Sequence, residues 1–162
     1  MNSELDRLAA ALNLSAPESK ELALKFSFAC VKRVEHLLED PEVVACLEVL
    51  ERYVNGNATS ESLLPAAQEA ALLANRHRGS KSIDGCGHAA VSASYGVAKA
   101  VAGKALEAAQ YSAYALVYAS GGYAAVADRD SFQPENGWQV KCLKLMATNN
   151  VGLNCKLASN ET

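Results

Sequence analysis

The stretch GHAAVSASYGVAKAVAGKALEAAQYSAYALVYASGG, residues 87–122, decides the fold class. Alanine dominates it, and alanine loses no side-chain entropy in a helix while letting neighbouring helices approach closely. Apolar and polar residues do not alternate here as they do along a half-buried strand. Two alanine-rich helices are expected, roughly 87–102 and 104–120, with Gly103 at their junction; one long or kinked helix is the other reading. Gly121-Gly122 breaks or bends the chain, and residues 124–127 suit a short helical turn. Although this is the most apolar region, Lys99, Lys104, Glu107 and Gln110 interrupt it. No window approaches the roughly 20 continuous apolar residues of a membrane span.

The same helical periodicity extends toward both ends. A first helix follows Ser3, with Leu5, Leu8 and Leu12 on one face. Ser15 and Glu18 have capping-box spacing around Pro17, and a second helix from there to about Glu39 carries Leu22, Phe26, Cys30, Val34 and Leu37 inward. Asp40-Pro41 stops and restarts the chain, because proline disfavours helical geometry in the preceding residue yet suits a first helical turn. A third helix buries Val43, Leu47 and Leu50 and ends at Asn55-Gly56. Thr59 or Ser60 caps a fourth, with Leu63, Leu64, Ala67, Ala70, Ala71 and Ala74 inward. Residues 76–87 and 131–137 read as loops, and Trp138 to Met146 as a last helix. The expectation is an all-α, compact single-domain bundle or array of six to seven helices over residues 1–147, with 148–162 a frayed or disordered tail.

Composition narrows the class. Half of the 162 residues are hydrophobic, a fifth are charged, and only 6% are aromatic, the balance of a globular chain. The net charge of −3 argues against a broad nucleic-acid surface, where a strongly basic face is expected. Five irregularly spaced cysteines with no CxxC pair read as reduced, mostly buried thiols. The amino-terminal residues lack the basic and apolar segments of a secretory signal, so a cytoplasmic location is expected.

Several side-chain groupings are candidates for function. His88, Ser92 and Tyr95 fall at helical offsets and form a polar face, read either as a packed helix contact or as a patch for a partner or small ligand. Tyr111, Tyr114 and Tyr118 form a second stripe, suited to a core edge or to an interface, because tyrosine combines an apolar body with a polar tip. Glu35, Glu39, Asp40 and Glu42 concentrate negative charge, either as a solvated face or to steer a basic partner. Arg76, His77, Arg78 and Lys81 make a small basic loop without phosphate-cradling glycines. Cys86 and His88 lack the converging ligands a zinc site needs, so no metal, cofactor or catalytic residue is assigned.

Three stretches resemble the fifth immunity-protein family of bacterial polymorphic toxin systems. They are FSFACVKR at 26–33 leading to Asp40-Pro41, ACLEVLERYVNG at 45–56, and the alanine-rich core with GHAA at 87–90 and AQYSAYAL at 109–116; Trp138-Gln139 opens the final helix in a similar order. The resemblance spans about Leu22 to Met146. Tyr53 stands where the family pattern has tryptophan, and Tyr95 lies in the region of a second histidine. The resemblance implies a non-catalytic inhibitor that binds a cognate toxin domain and protects the producing cell. Its candidate interface is the acidic group together with the tyrosine stripe. No nucleic acid or membrane partner is expected, and a homo-oligomer is compatible with the reading. The alternatives are a small helical scaffold or regulator, and a ligand-binding protein or enzyme using the face of His88 and Tyr95.

Overall fold

A computed structural model describes residues 1–79 and 86–158, excepting the side chains of Cys86 and of residues 151–158. Lys81 and the side chain of Cys86 therefore lie outside the described residues. The described residues form an all-α bundle of seven helices: α1 (Ser3–Ala11), α2 (Lys20–Lys32), α3 (Pro41–Val54), α4 (Leu63–Arg76), α5 (Cys86–Val101), α6 (Ala105–Ala127) and α7 (Gln133–Ala158).

Local chemistry sets the boundaries. Asn2, one residue before the expected Ser3, caps α1: its Oδ1 accepts from the Leu5 amide at 3.2 Å while its Nδ2 donates to the Asn136 carbonyl at 3.0 Å. The restart at Asp40-Pro41 forms as expected, with Pro41 in the first turn of α3, and Asp40 caps the helix by accepting from the Glu42 amide. The junction at Gly103 resolves in favour of two helices. Gly103 has φ of +75°, its amide donates to the Ala100 carbonyl, and the Lys104 amide donates back to the Lys99 carbonyl. This left-handed residue closes α5 with its last carbonyls satisfied, and α6 starts two residues on.

Other expectations are corrected. The box at Ser15 does not form; Pro17–Ser19 is a 3-10 turn, and α2 begins at Lys20 without a side-chain cap. The second helix ends at Lys32 rather than near Glu39. A 3-10 turn at Glu35–Leu37 and an extended Leu38 follow it. Val34 and Leu37 are three residues apart, a spacing that a 3-10 turn satisfies as well as an α-helix does. On α4 the buried face is Leu63, Ala66, Ala70, Leu73 and Ala74, while Leu64 and Ala71 face outward. That helix is apolar nearly all round, so periodicity alone does not choose its inner stripe. Residues 131–137 are not a loop: a 3-10 turn at Arg129–Phe132 runs straight into α7, where Asp128 accepts from the Asp130 amide and Pro134 sits in the first turn. Helix α7 then continues to Ala158, past the expected tail boundary at 148.

The core has two lobes joined by α2 and α6. Leu24 and Val31 of α2 pack with α3, α4, α5 and Ala108 and Ala115 of α6. Leu22, Phe26 and Cys30 of α2 pack instead with α1, α7 and Ala105 and Ala109 of α6. Small residues hold the helices close. A Cβ on Gly96 would stand 3.4 Å from a Val31 methyl, and the buried hydroxyls of Ser94 and Ser112 donate to the carbonyls of Ala90 and Ala108 one turn back. Phe26 and Leu47 anchor the two lobes and are fully enclosed. Phe26→Ala or Leu47→Ala should each cost roughly 2–5 kcal/mol in urea unfolding; a near-neutral midpoint for either would show that its lobe is not packed as described.

Candidate binding face

The turn at Gly103 folds α6 back along α5 in antiparallel register. Lys99 meets Glu107 in a 2.6 Å ion pair, Tyr95 stacks on Tyr111 with ring centroids 5.3 Å apart, and His88 stacks on Tyr118 at 5.3 Å. Each step back along α5 is matched by a step forward along α6. The two groupings read separately in the sequence, His88, Ser92 and Tyr95 on one helix and Tyr111, Tyr114 and Tyr118 on the other, are therefore one surface.

Two further aromatics complete it. Near the end of α6, Gly122 adopts φ 60°, ψ −146°, a conformation open to glycine and strained for other residues. The bend carries Tyr123 back over the face, where it meets His88 edge-on at 5.2 Å and Tyr118 at 6.0 Å. Phe132, from the turn before α7, meets Tyr114 edge-on at 5.1 Å. Sequence reasoning missed both residues. Tyr123 lies five residues past Tyr118, outside the three- and four-residue spacing of the stripe, and Phe132 falls in a segment read as a loop.

Five of the six tyrosines thus stand on one face of a chain poor in aromatics. They are not core: Tyr111, Tyr114 and Tyr118 are half-buried, His88 is exposed, and Tyr123 is 57% exposed. Between them, Ser92, Glu107, Gln110, Tyr111, Tyr114 and Tyr118 line an open groove of about 380 Å³. The polar triad of α5 does not converge on a reaction centre. Tyr95 donates its hydroxyl to Asn75 Oδ1 of α4 at 2.8 Å, while His88, seven residues and about 10 Å along the helix, lies against Tyr118 and Tyr123.

The acidic group is divided among structural tasks. Glu35 pairs with Lys32 at 2.6 Å, Asp40 caps α3, and Glu39 lies 3.7 Å from His77 Nε2. Glu42 is exposed. His77, from the basic loop, also accepts the Gly79 amide on Nδ1 and so shapes the end of α4. Among the described residues no three His, Cys, Asp or Glu side chains gather as metal ligands, and no helix is long and apolar enough to cross a membrane.

A separate ion pair fixes the rear of the face. Arg33 grips both carboxylate oxygens of buried Glu135, with Nη2 to Oε2 at 2.7 Å, and its guanidinium lies 4.1 Å from the Trp138 ring. This planar fork ties α2 to the first turn of α7 and so places Phe132 beside Tyr114. Burial pushes the nearby Cys30 thiol well above its ordinary value, with Cys142 and Glu135 adding to the shift, so it stays protonated. Comparison with protein-family models, curated sequences and solved structures gives no match.

The Lys99–Glu107 pair carries a pH signature. The hydrogen bond from Lys99 holds the Glu107 carboxyl below its ordinary range, and the same bond raises Lys99 above its own. Glu107 therefore contributes stability above the ordinary carboxylate range, lost as pH falls through its lowered folded value; Lys99 contributes below the ordinary lysine value, lost as pH rises through its raised one. Glu107→Gln should be less stable than the parent near neutrality, with the difference closing at both extremes of pH. A difference in urea midpoint that does not vary with pH would rule out the pair as its source.

Proposed function

We propose that the chain is a non-catalytic immunity protein that binds a cognate bacterial toxin domain in the cytoplasm and neutralises it through the tyrosine face of α5 and α6. The observation that carries this reading is the concentration of half-exposed aromatic rings on a rigid helical hairpin. Protein interfaces enrich tyrosine for its large contact area and low entropy cost, and a preordered surface loses little freedom on binding. The order of the motifs over residues 22–146 points to the same class. Inhibition by occlusion needs a stiff complementary surface and no reacting group. The separation of His88 from Tyr95 by about 10 Å along α5 favours a binding face over a reaction centre that uses both. Of the two interfaces the sequence suggests, the tyrosine face is favoured over the acidic group, whose members are largely committed to caps and ion pairs.

Co-expression with the toxin domain encoded beside the gene should rescue growth and yield a stable complex. Tyr118→Ala should weaken that complex about 30-fold or more, the scale of an interface hot spot, whereas Glu42→Lys should change it by less than about threefold. No rescue and no complex, with both proteins folded, would overturn the immunity reading in favour of a helical scaffold for another partner. A complex insensitive to Tyr118 but broken by Glu42→Lys would move the interface to α3.

A further inference from the structure

We infer that the groove between α5 and α6 receives an arginine side chain of the partner protein, an inference that rests on the reading of this face as a binding surface but not on the partner being a toxin. The six residues lining the groove bring one carboxylate and no cation. Glu107, the side-chain carbonyl of Gln110, the Ser92 hydroxyl and three phenol oxygens can all accept hydrogen bonds. Lys99 pairs with Oε2 of Glu107 at 2.6 Å, and the charge of Lys104 also reaches this carboxylate, but neither lysine lines the groove.

The alternatives fit less well. An anionic side chain would find no cation in the lining itself, and Lys99, which flanks it, is already bound to Glu107. A purely aliphatic side chain would strip water from the carboxylate and phenol oxygens without replacing their hydrogen bonds. A lysine ammonium is compact and strongly hydrated, and it has no plane to lay against a ring. A guanidinium is flat and weakly hydrated, stacks on tyrosine, and presents five N–H donors in a fixed fork. The rings of His88, Tyr118 and Tyr123 contact one another directly, so they form no cage around a cation; the guanidinium is assigned to the groove lined by Tyr111, Tyr114 and Tyr118. A second depression shares Glu107, Gln110 and Tyr114 with the groove and is lined beyond them by Asp6, Leu106 and Asn136 among others.

The test titrates Nα-acetyl-arginine amide, and separately its uncharged citrulline counterpart, into the full chain with isotope-labelled tyrosines, followed by NMR. The arginine probe should give saturable shifts at Tyr111, Tyr114 and Tyr118 and leave Tyr53 on α3 unmoved. Citrulline should require roughly fivefold more for the same effect, and Glu107→Gln should shrink that preference. Equal response to both probes, or shifts as large at Tyr53, would overturn the inference. This readout is independent of the toxin. A toxin complex that forms beside an indiscriminate titration sinks the arginine alone, and a selective titration without a complex sinks the toxin reading alone.

Discussion

Everything on the candidate face depends on the left-handed turn at Gly103. With φ of +75°, this residue lets the last carbonyls of α5 be satisfied by the amides of residues 103 and 104, so that α6 departs antiparallel after a minimal connection. A Cβ there would not meet a wall, since only a Leu24 methyl lies as near as 3.8 Å; the restriction is the backbone dihedral itself. Once the turn is set, the register of the hairpin follows, and with it every cross-helix pair from Lys99–Glu107 at the closed end to His88–Tyr118 at the open end.

The hairpin keeps that register because its seam is made of small side chains. Ala93, Gly96, Ala100, Ala108 and Ser112 are buried, and the buried serine hydroxyls satisfy themselves on their own helix. Close helices bring the bulky residues at the edge of the seam into contact, which is why tyrosines on opposite helices stack instead of splaying into water. The apolar character of α2 on two sides serves the same end. Phe26 and Cys30 face one lobe and Leu24 and Val31 the other, so α2 braces α5 and α6 from behind while Arg33 holds α7. The face is stiff because the helices that carry it are wedged on their inner sides.

Much of this was legible in the sequence, and the limits are physical. Features written by adjacent residues read correctly: the Asp40-Pro41 restart, the Asn55-Gly56 end of α3, the Gly103 junction and the bend at Gly122. So did the all-α class, which needs only alanine content and period. The errors fall where two solutions share one local signal. Ser15 and Glu18 carry capping-box spacing yet precede a 3-10 turn, and α4 offers apolar residues on several sides. The first turn of α7 is held by Arg33, about a hundred residues earlier in the chain, a distance no local reading bridges. The tyrosine face lay in between. His88 and Tyr118 each stand fifteen residues from Gly103, Tyr95 and Tyr111 eight, and Lys99 and Glu107 four. The pairing depends on folding α6 back along α5, which the residue types of either stripe do not encode.

The placement of Tyr123 is the feature of this face that folding alone explains least. An α6 that continued straight past residue 121 would carry its next aromatic away from α5. Gly122 interrupts the helix at ψ −146° and returns Tyr123 over His88, where its ring remains 57% exposed. Burying that ring in the core would have gained more for folding, since apolar burial contributes about 25 cal/mol per Å². A helix broken at a glycine to hold a large ring half in water gives up that stability, and the loss becomes intelligible once the remaining ring surface is covered by another molecule. On the proposed reading, the bend, the stacked pairs and the groove beside them are parts of one surface whose burial a partner would complete.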